Sequence, residues 1–182
     1  MAIARTPNCN LSDGVSILTA SRNSESSIEI GGHGVFTSLL LDALQGGASD
    51  VLGQITPGGI YAYIDQALGA WDQRPTFKTN VSRFTCIRRS SPRISVEVLR
   101  KICDFFPTPE HQFALDPTYE FTEKTAKPEN VAVFKDLQKL QSVGLVVPVD
   151  ADYMYFAAMS STSCRLTAVG HLYWKLSKEG KI

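Results

Sequence analysis

Residues 31–44 read GGHGVFTSLLLDAL, a glycine-rich segment that runs directly into an apolar one. Glycine has no Cβ, so the first part of this stretch can turn sharply or approach another group closely. In the second part, Phe36, Leu40 and Leu44 recur at intervals of four, which places them on one face of a helix. Gly46 follows as a C-terminal stop signal. The stretch therefore predicts a tight loop followed by an amphipathic helix.

A short apolar segment and a polar loop precede this stretch. Residues 15–20 read VSILTA and are typical of a strand in a covered parallel sheet. Residues 21–29 read SRNSESSIE and are polar. A strand followed by a polar loop and a helix places functional side chains at the carboxyl end of a sheet strand. We therefore expect an α/β fold in which helices cover a parallel sheet.

Several short segments in this region resemble a known enzyme family. They are Leu18–Arg22, Glu29, Gly32–Thr37, Gly53–Thr56, Ile60–Tyr63 and Gln73–Pro75. Their order and spacing resemble the second half of caspase-like and metacaspase-like cysteine peptidases, over roughly residues 12–90. The resemblance implies a cysteine endopeptidase acting on peptides or proteins. It also implies that the catalytic His and Cys belong to the first half of such a domain, upstream of this chain.

The resemblance assigns the polar loop a part in substrate binding. In metacaspase-like enzymes, the corresponding loop lines a pocket for a basic side chain and uses acidic groups, since carboxylates form charge-assisted hydrogen bonds with Arg and Lys. The substrate-binding residues implied here are Ser21, Asn23, Glu25 and Glu29. Asn23 stands where an Asp is expected, and Glu25 or Glu29 would replace that charge. The alternative is a solvated serine-rich loop in which Glu29 only stabilises the start of the following helix.

The cysteines and histidines do not predict a catalytic site within this chain. A Cys–His pair of Cys9 with His33 has the wrong order and context for the resembled family, and Cys86, the other candidate partner, lies within a predicted strand. Cys86 is better explained as a small apolar residue of a strand, and His33 as a loop residue. The four cysteines are far apart and form no CxxC pair, so we predict no metal site, no cofactor and no disulfide framework.

The first half of the sequence has too few strands for a stable sheet. Residues 12–90 contain two predicted helices, including one over about 57–70 that Thr56 caps, but only two predicted strands, the second over Val81–Arg88. Two strands alone do not make a stable sheet. We therefore interpret residues 1–91 as the C-terminal part of a caspase-like domain, with the upstream half of that domain as its partner.

The second half, residues 92–182, predicts a small α+β domain that resembles a winged helix. Ser90, Ser91 and Pro92 mark the boundary. The pattern predicts a helix after Ser95 and a second that opens at Pro128. A β-hairpin from Leu145–Val149 and Tyr153–Ala157 follows, and Thr167 caps a final helix.

Charge and composition bound the remaining functions. Eighteen basic and eighteen acidic residues cancel, and no apolar run approaches the roughly 20 residues that span a bilayer, so we expect a cytoplasmic protein without a membrane partner. Nucleic acid binding by the second domain remains an alternative, because Lys135 and Lys139 lie on one exposed helix face, although the predicted wing is acidic. The leading hypothesis is part of a caspase-like endopeptidase that is inactive alone. The alternative is a non-catalytic adaptor or scaffold.

Overall fold

The computed structural model describes residues 11–20, 29–30, 33–68 and 75–182. The chain forms two compact units, Met1–Ser91 and Pro92–Ile182, and each is described separately below.

The first unit contains six short strands and two helices in its described residues. In chain order they are β1 Val15–Thr19, β2 Glu29–Ile30, β3 His33–Gly34, α1 Val35–Asp42, β4 Gln54–Ile55, α2 Pro57–Leu68, β5 Thr76–Asn80 and β6 Arg88–Arg89. A π-helical turn, Ala43–Gly47, extends α1, and Gly46 lies within it at a φ of 130°, which only glycine adopts readily.

Every strand pair among the described residues is antiparallel. Three two-stranded sheets form, from β1 with β5, β2 with β3, and β4 with β6. The predicted parallel sheet with covering helices is therefore wrong. The apolar sequence of β1 indicated a covered strand, but it carried no information on direction, which the distant partner β5 sets.

The predicted strand over Val81–Arg88 is also wrong. Residues 81–87 form no strand, and the partner of β1 lies directly before them, with Val15 opposite Asn80 and Thr19 opposite Thr76. The β5 sequence is rich in polar residues, because its last three residues are exposed and need no apolar alternation. The apolar residues of 81–88 gave the stronger strand pattern at the wrong place.

The core of the first unit lies between its two helices. Its buried side chains are Ala43, Ile55, Ile60, Ile64 and Leu68, and Leu18 of β1 and Phe36 of α1 pack against them. The start of α2 has the predicted cap, because the amide of Gly59 donates to Oγ1 of Thr56 at 3.1 Å. The apolar stripe of α2 therefore faces the core as its helical spacing indicated.

The second unit combines a three-stranded antiparallel sheet with short helices. Its elements are α3 Val96–Arg100, α4 Ile102–Phe105, β7 Gln112–Ala114, a 3-10 turn Pro117–Tyr119, α5 Pro128–Ser142, β8 Val146–Val149, α6 Met154–Met159, β9 Ser163–Leu166 and α7 Ala168–Lys178. The strand order is β7-β9-β8, so the last strand in the chain lies in the centre.

The predicted β-hairpin is only half correct, and this overturns the winged-helix-like prediction at its wing. The first strand forms as β8, but Tyr153–Ala157 contributes to α6 and its N-cap rather than to a strand. β8 pairs with β9 instead, with Val146 opposite Leu166 and Val149 opposite Ser163. The aromatic residues suggested a strand, whereas Met154, Ala157 and Ala158, at helical spacing, bury one face of a helix.

The core of the second unit is formed by side chains from helices and strands. Phe134, Leu137 and Leu140 of α5 are buried, and Val133, which its spacing also placed on this face, is partly buried. The amide of Val98 donates to Oγ of Ser95 at 3.3 Å, and this hydrogen bond caps α3. The indole Nε1 of Trp174 donates to the carbonyl oxygen of Phe106 at 2.6 Å, which joins α7 to the end of α4.

Among the described residues, no helix is both long enough and apolar enough to cross a membrane.

Candidate functional site

The loop predicted to bind substrate is only partly within the described residues. Ser21, Asn23 and Glu25 lie outside them. Glu29 lies in β2, and its backbone pairs with Gly34 of β3. Of the four predicted residues, the structure therefore positions only the backbone of Glu29, and the grouping of the four stays a prediction.

The position of Glu29 relates it to the start of α1. Its pairing partner Gly34 is the N-cap residue of α1, with extended backbone angles of −63° and 132°. The first turn of α1 contains no acidic residue, and its N-cap residue, a glycine, makes no side-chain capping hydrogen bond. The free N–H groups of a helix N-terminus favour a nearby carboxylate. The backbone pairing is thus compatible with the stabilising role considered for Glu29.

Each of the described cysteines either donates a hydrogen bond to a backbone carbonyl or is buried. The thiol of Cys86 donates to the carbonyl oxygen of Arg88 at 3.1 Å, and that of Cys103 to the carbonyl oxygen of Trp174 at 3.5 Å. Cys164 is fully buried, and this burial raises the pKa of its thiol to about 12, so it stays protonated at neutral pH. Cys9 lies outside the described residues. These environments differ from those that activate a nucleophilic thiol.

No group of three or more His, Cys, Asp or Glu residues within the described ranges is arranged to hold a metal ion.

Of the two lysines considered for nucleic acid binding, Lys139 forms an ion pair with an aspartate on the same helix, whereas Lys135 is exposed. Nζ of Lys139 lies 3.0 Å from Oδ1 of Asp136, and Lys101 binds the other oxygen of the same carboxylate at 2.7 Å. Burial raises the pKa of Asp136, but the hydrogen bonds from both lysines lower it more, and the pKa lies below its usual range. The Asp136 carboxylate therefore neutralises charge on this helix.

The first unit exposes two apolar side chains of β1 to solvent. Leu18 points toward the core, whereas Val15 and Ile17, on the opposite face of β1, are 36% and 43% exposed. The residues opposite them on β5 are Asn80 and Lys78. A strand that is apolar on both faces is typical of a sheet covered on both sides. This sheet is covered on one side by the described residues.

A second exposed apolar surface lies on α6 and was not predicted from the sequence. Tyr153, Tyr155 and Phe156 are 64%, 42% and 51% exposed, and we call them the aromatic surface. The ring centroids of Tyr153 and Phe156 lie 6.0 Å apart, and those of Tyr155 and Phe156 lie 5.4 Å apart.

A signal for this surface exists in the sequence. If residues 154–159 form a helix, the positions of Met154, Ala157 and Ala158 leave the neighbouring aromatic residues on the other face. The strand prediction concealed this arrangement, because successive residues of a strand point to opposite faces.

Comparisons of this chain with known protein families, with curated proteins and with solved structures found no match.

Proposed function

We propose that this chain supplies the C-terminal portion of a caspase-like cysteine endopeptidase, in which the catalytic His and Cys come from the upstream half of the domain. The proposal rests on the sequence segments between residues 12 and 90 described above. One structural observation supports it, namely the exposed apolar face of β1. On this proposal, the chain contributes the antiparallel strand pair β1 and β5 to the sheet of the complete domain.

The face formed by Val15 and Ile17 is what an incomplete domain is expected to leave open. Exposed β-branched residues side by side on a strand favour burial against another layer, since each removes apolar area from water at about 25 cal/mol per Å². On this proposal, the upstream half provides that layer and further strands. The buried cluster around Ile60 and Ile64 already covers the other face.

The chemistry divides between the two halves. A thiolate from the upstream half attacks the substrate carbonyl, and a histidine from the same half transfers the proton to the leaving amine. This chain contributes the loop that contains Ser21, Asn23, Glu25 and Glu29, in which the Glu25 carboxylate binds an Arg or Lys side chain of the peptide substrate. A cytoplasmic location is part of the proposal, because the protein then keeps its widely spaced cysteines reduced.

The test is reconstitution of this chain with the upstream half that the proposal requires, supplied as a separate polypeptide. We expect the purified 182-residue chain to be inactive on fluorogenic Arg and Lys peptides, and the reconstituted protein to show cleavage that a thiol alkylating agent abolishes. Cleavage by the chain alone that is lost on Cys86→Ala, or no thiol-dependent cleavage after reconstitution, contradicts the proposal.

A matched pair of variants tests the exposed sheet face itself. Ile17→Asp places a charge in the expected interface, so association with the upstream half should weaken by at least about tenfold. Leu41→Asp is the control, because Leu41 is 53% exposed on α1 and lies outside this face. Equal association of both variants with the upstream half would show that the β1 face is not the contact.

A non-catalytic adaptor is the second candidate, and the aromatic surface of the second unit favours it. Exposed clustered aromatic rings are typical of protein contact surfaces. Reconstitution separates the two candidates, because an adaptor associates with its upstream half without gaining thiol-dependent cleavage.

A further inference from the structure

The aromatic surface on α6 is exposed to solvent, although aromatic side chains are on average largely buried. Three neighbouring aromatic side chains, Tyr153, Tyr155 and Phe156, are each more than two-fifths exposed. The ring of Phe156 contacts the rings of both tyrosines, so the three rings lie beside one another at the surface. Large aromatic rings of this kind provide contact area with little loss of side-chain freedom on binding.

The segment that directly precedes α6 in the chain carries two negative charges. Asp150 and Asp152 are exposed, and neither forms an ion pair with any residue in the described part of the chain. Asp150 adopts a φ of 54°, so the backbone turns sharply between the end of β8 and the start of α6. Asp152 directly precedes Tyr153. The surface therefore combines uncompensated carboxylates with exposed aromatic faces.

We infer that the aromatic surface, together with Asp150 and Asp152, binds an arginine-bearing, partly apolar segment of another protein. A guanidinium stacks on aromatic rings and also forms paired hydrogen bonds with a carboxylate, so one side chain satisfies both features of the surface. Apolar residues next to the arginine then cover the remaining ring area. The inference is independent of the peptidase proposal, since it concerns the second unit alone.

The charge of the surface argues against two other occupants. A nucleic acid brings phosphates toward Asp150 and Asp152, and like charges repel. A second copy of the chain that used the same surface on both sides would bring four carboxylates together across a two-fold axis. A cationic partner compensates the charge that both alternatives would increase.

The probe is a labelled nonamer peptide in which arginine and leucine alternate, titrated against the 182-residue chain by fluorescence anisotropy. We expect a Kd below about 1 mM for this peptide and at least tenfold weaker binding for peptides in which Glu replaces Arg or Ser replaces Leu. Amide resonances of residues 150–160 should shift most on binding. No binding, equal binding of the Glu peptide, or shifts confined to other residues overturns the inference.

Variants of exposed side chains show whether the surface itself is responsible. Tyr153→Ser combined with Phe156→Ser should weaken binding at least about tenfold, and Asp150→Asn with Asp152→Asn should weaken it and reduce its dependence on salt. Phe121→Ser is the matched control, because Phe121 is 71% exposed but lies outside α6. Thermal melting monitors the fold of each variant.

If the α6 variants bind the peptide as well as Phe121→Ser does, the inference fails. Sedimentation measurements that show a dimer abolished by Phe156→Ser assign the surface to a second copy and overturn it. The inference is also overturned if duplex DNA shifts the amide resonances of residues 150–160 at low salt.

Discussion

Gly170 lies so close to the carbonyl oxygen of Leu145 that no β-carbon fits between them. The same carbonyl accepts the backbone N–H of Thr167 at 3.0 Å, so the start of α7 is joined to the residue that precedes β8. The hydroxyl of Thr167 donates to the carbonyl oxygen of Gly144 at 2.7 Å and accepts the amide of Gly170 at 3.0 Å. The first turn of α7 is thereby fixed against the sheet.

Gly170→Ala should destabilise the protein. Alanine normally stabilises a helix by about 1 kcal/mol relative to glycine, but here its methyl group meets backbone that cannot rotate away. We expect a loss of about 1–3 kcal/mol in the free energy of unfolding, measured by urea denaturation. Val169→Ala is the control, because Val169 is half exposed and should change stability little. A Gly170→Ala variant as stable as the wild type would contradict the close approach.

The ion pairs of Asp136 predict how stability depends on pH. Burial raises the pKa of this carboxyl, but the hydrogen bonds from Lys101 and Lys139 outweigh that effect and lower it. A lowered folded-state pKa contributes stability that is present above the unfolded value, about 3.9, and is lost as the pH falls through the folded value.

Asp136→Asn should therefore be less stable than the wild type at pH 7, by about 1 kcal/mol, since the lysine side chains are half exposed and water screens both pairs. The difference should shrink as the pH falls below about 4. Unfolding free energies across this range measure it, with Asp152→Asn as the control for an exposed aspartate. A difference that stays constant down to acidic pH would rule out the ion pairs as its source.

Hydrogen exchange should differ between the two units. The amides of Ser16–Thr19 lie in a two-stranded sheet with one exposed apolar face, whereas β9 is the central strand of its sheet. We expect faster exchange in β1 than at Cys164 and Leu166, measured by mass spectrometry or NMR on the isolated chain. Strong and equal protection of both strands in a monomer would show that the first unit does not need a further layer.

Glu29→Gln separates the two roles considered for Glu29. Its backbone pairs with the N-cap of α1, so loss of the charge should lower stability by about 0.3–1 kcal/mol while the preference for Arg or Lys substrates stays intact. Glu25→Gln is the comparison, and we expect it to weaken that preference instead. Melting temperatures and kcat/KM ratios in the reconstituted protein measure both. A Glu29→Gln variant with unchanged melting and altered preference would assign it to the pocket.

The sequence predicted helices better than strands, for a physical reason. The helices α2 and α5 carry apolar residues at helical spacing, and local signals such as the Thr56 cap or Pro128 mark their starts. The partner of a strand is a distant segment, so β5, with its exposed lysine and asparagine, gave no comparable local pattern. The direction of pairing is likewise a long-range property.

The candidate sites were likewise predicted where local sequence signals sufficed and missed where the secondary structure was predicted wrongly. The position of Glu29 close to the start of α1 agrees with its place just before the glycine-rich stretch. The aromatic surface depends on α6 being a helix, and its aromatic composition favoured a strand. Ser21, Asn23 and Glu25 lie outside the described residues, so their assignment stays a prediction.

The helix α6 also determines which residues between β8 and β9 tolerate substitution. Residues 150–162 connect β8 to β9, and the register of these strands is set by their own pairing and by β7 on the other side of β9. A tight hairpin turn would have tied register to the turn sequence. On α6 itself, the buried residues that must stay apolar and keep their size are Met154, Ala157 and Ala158. The outward side chains of α6 can therefore be changed without disturbing the pairing of β8 with β9.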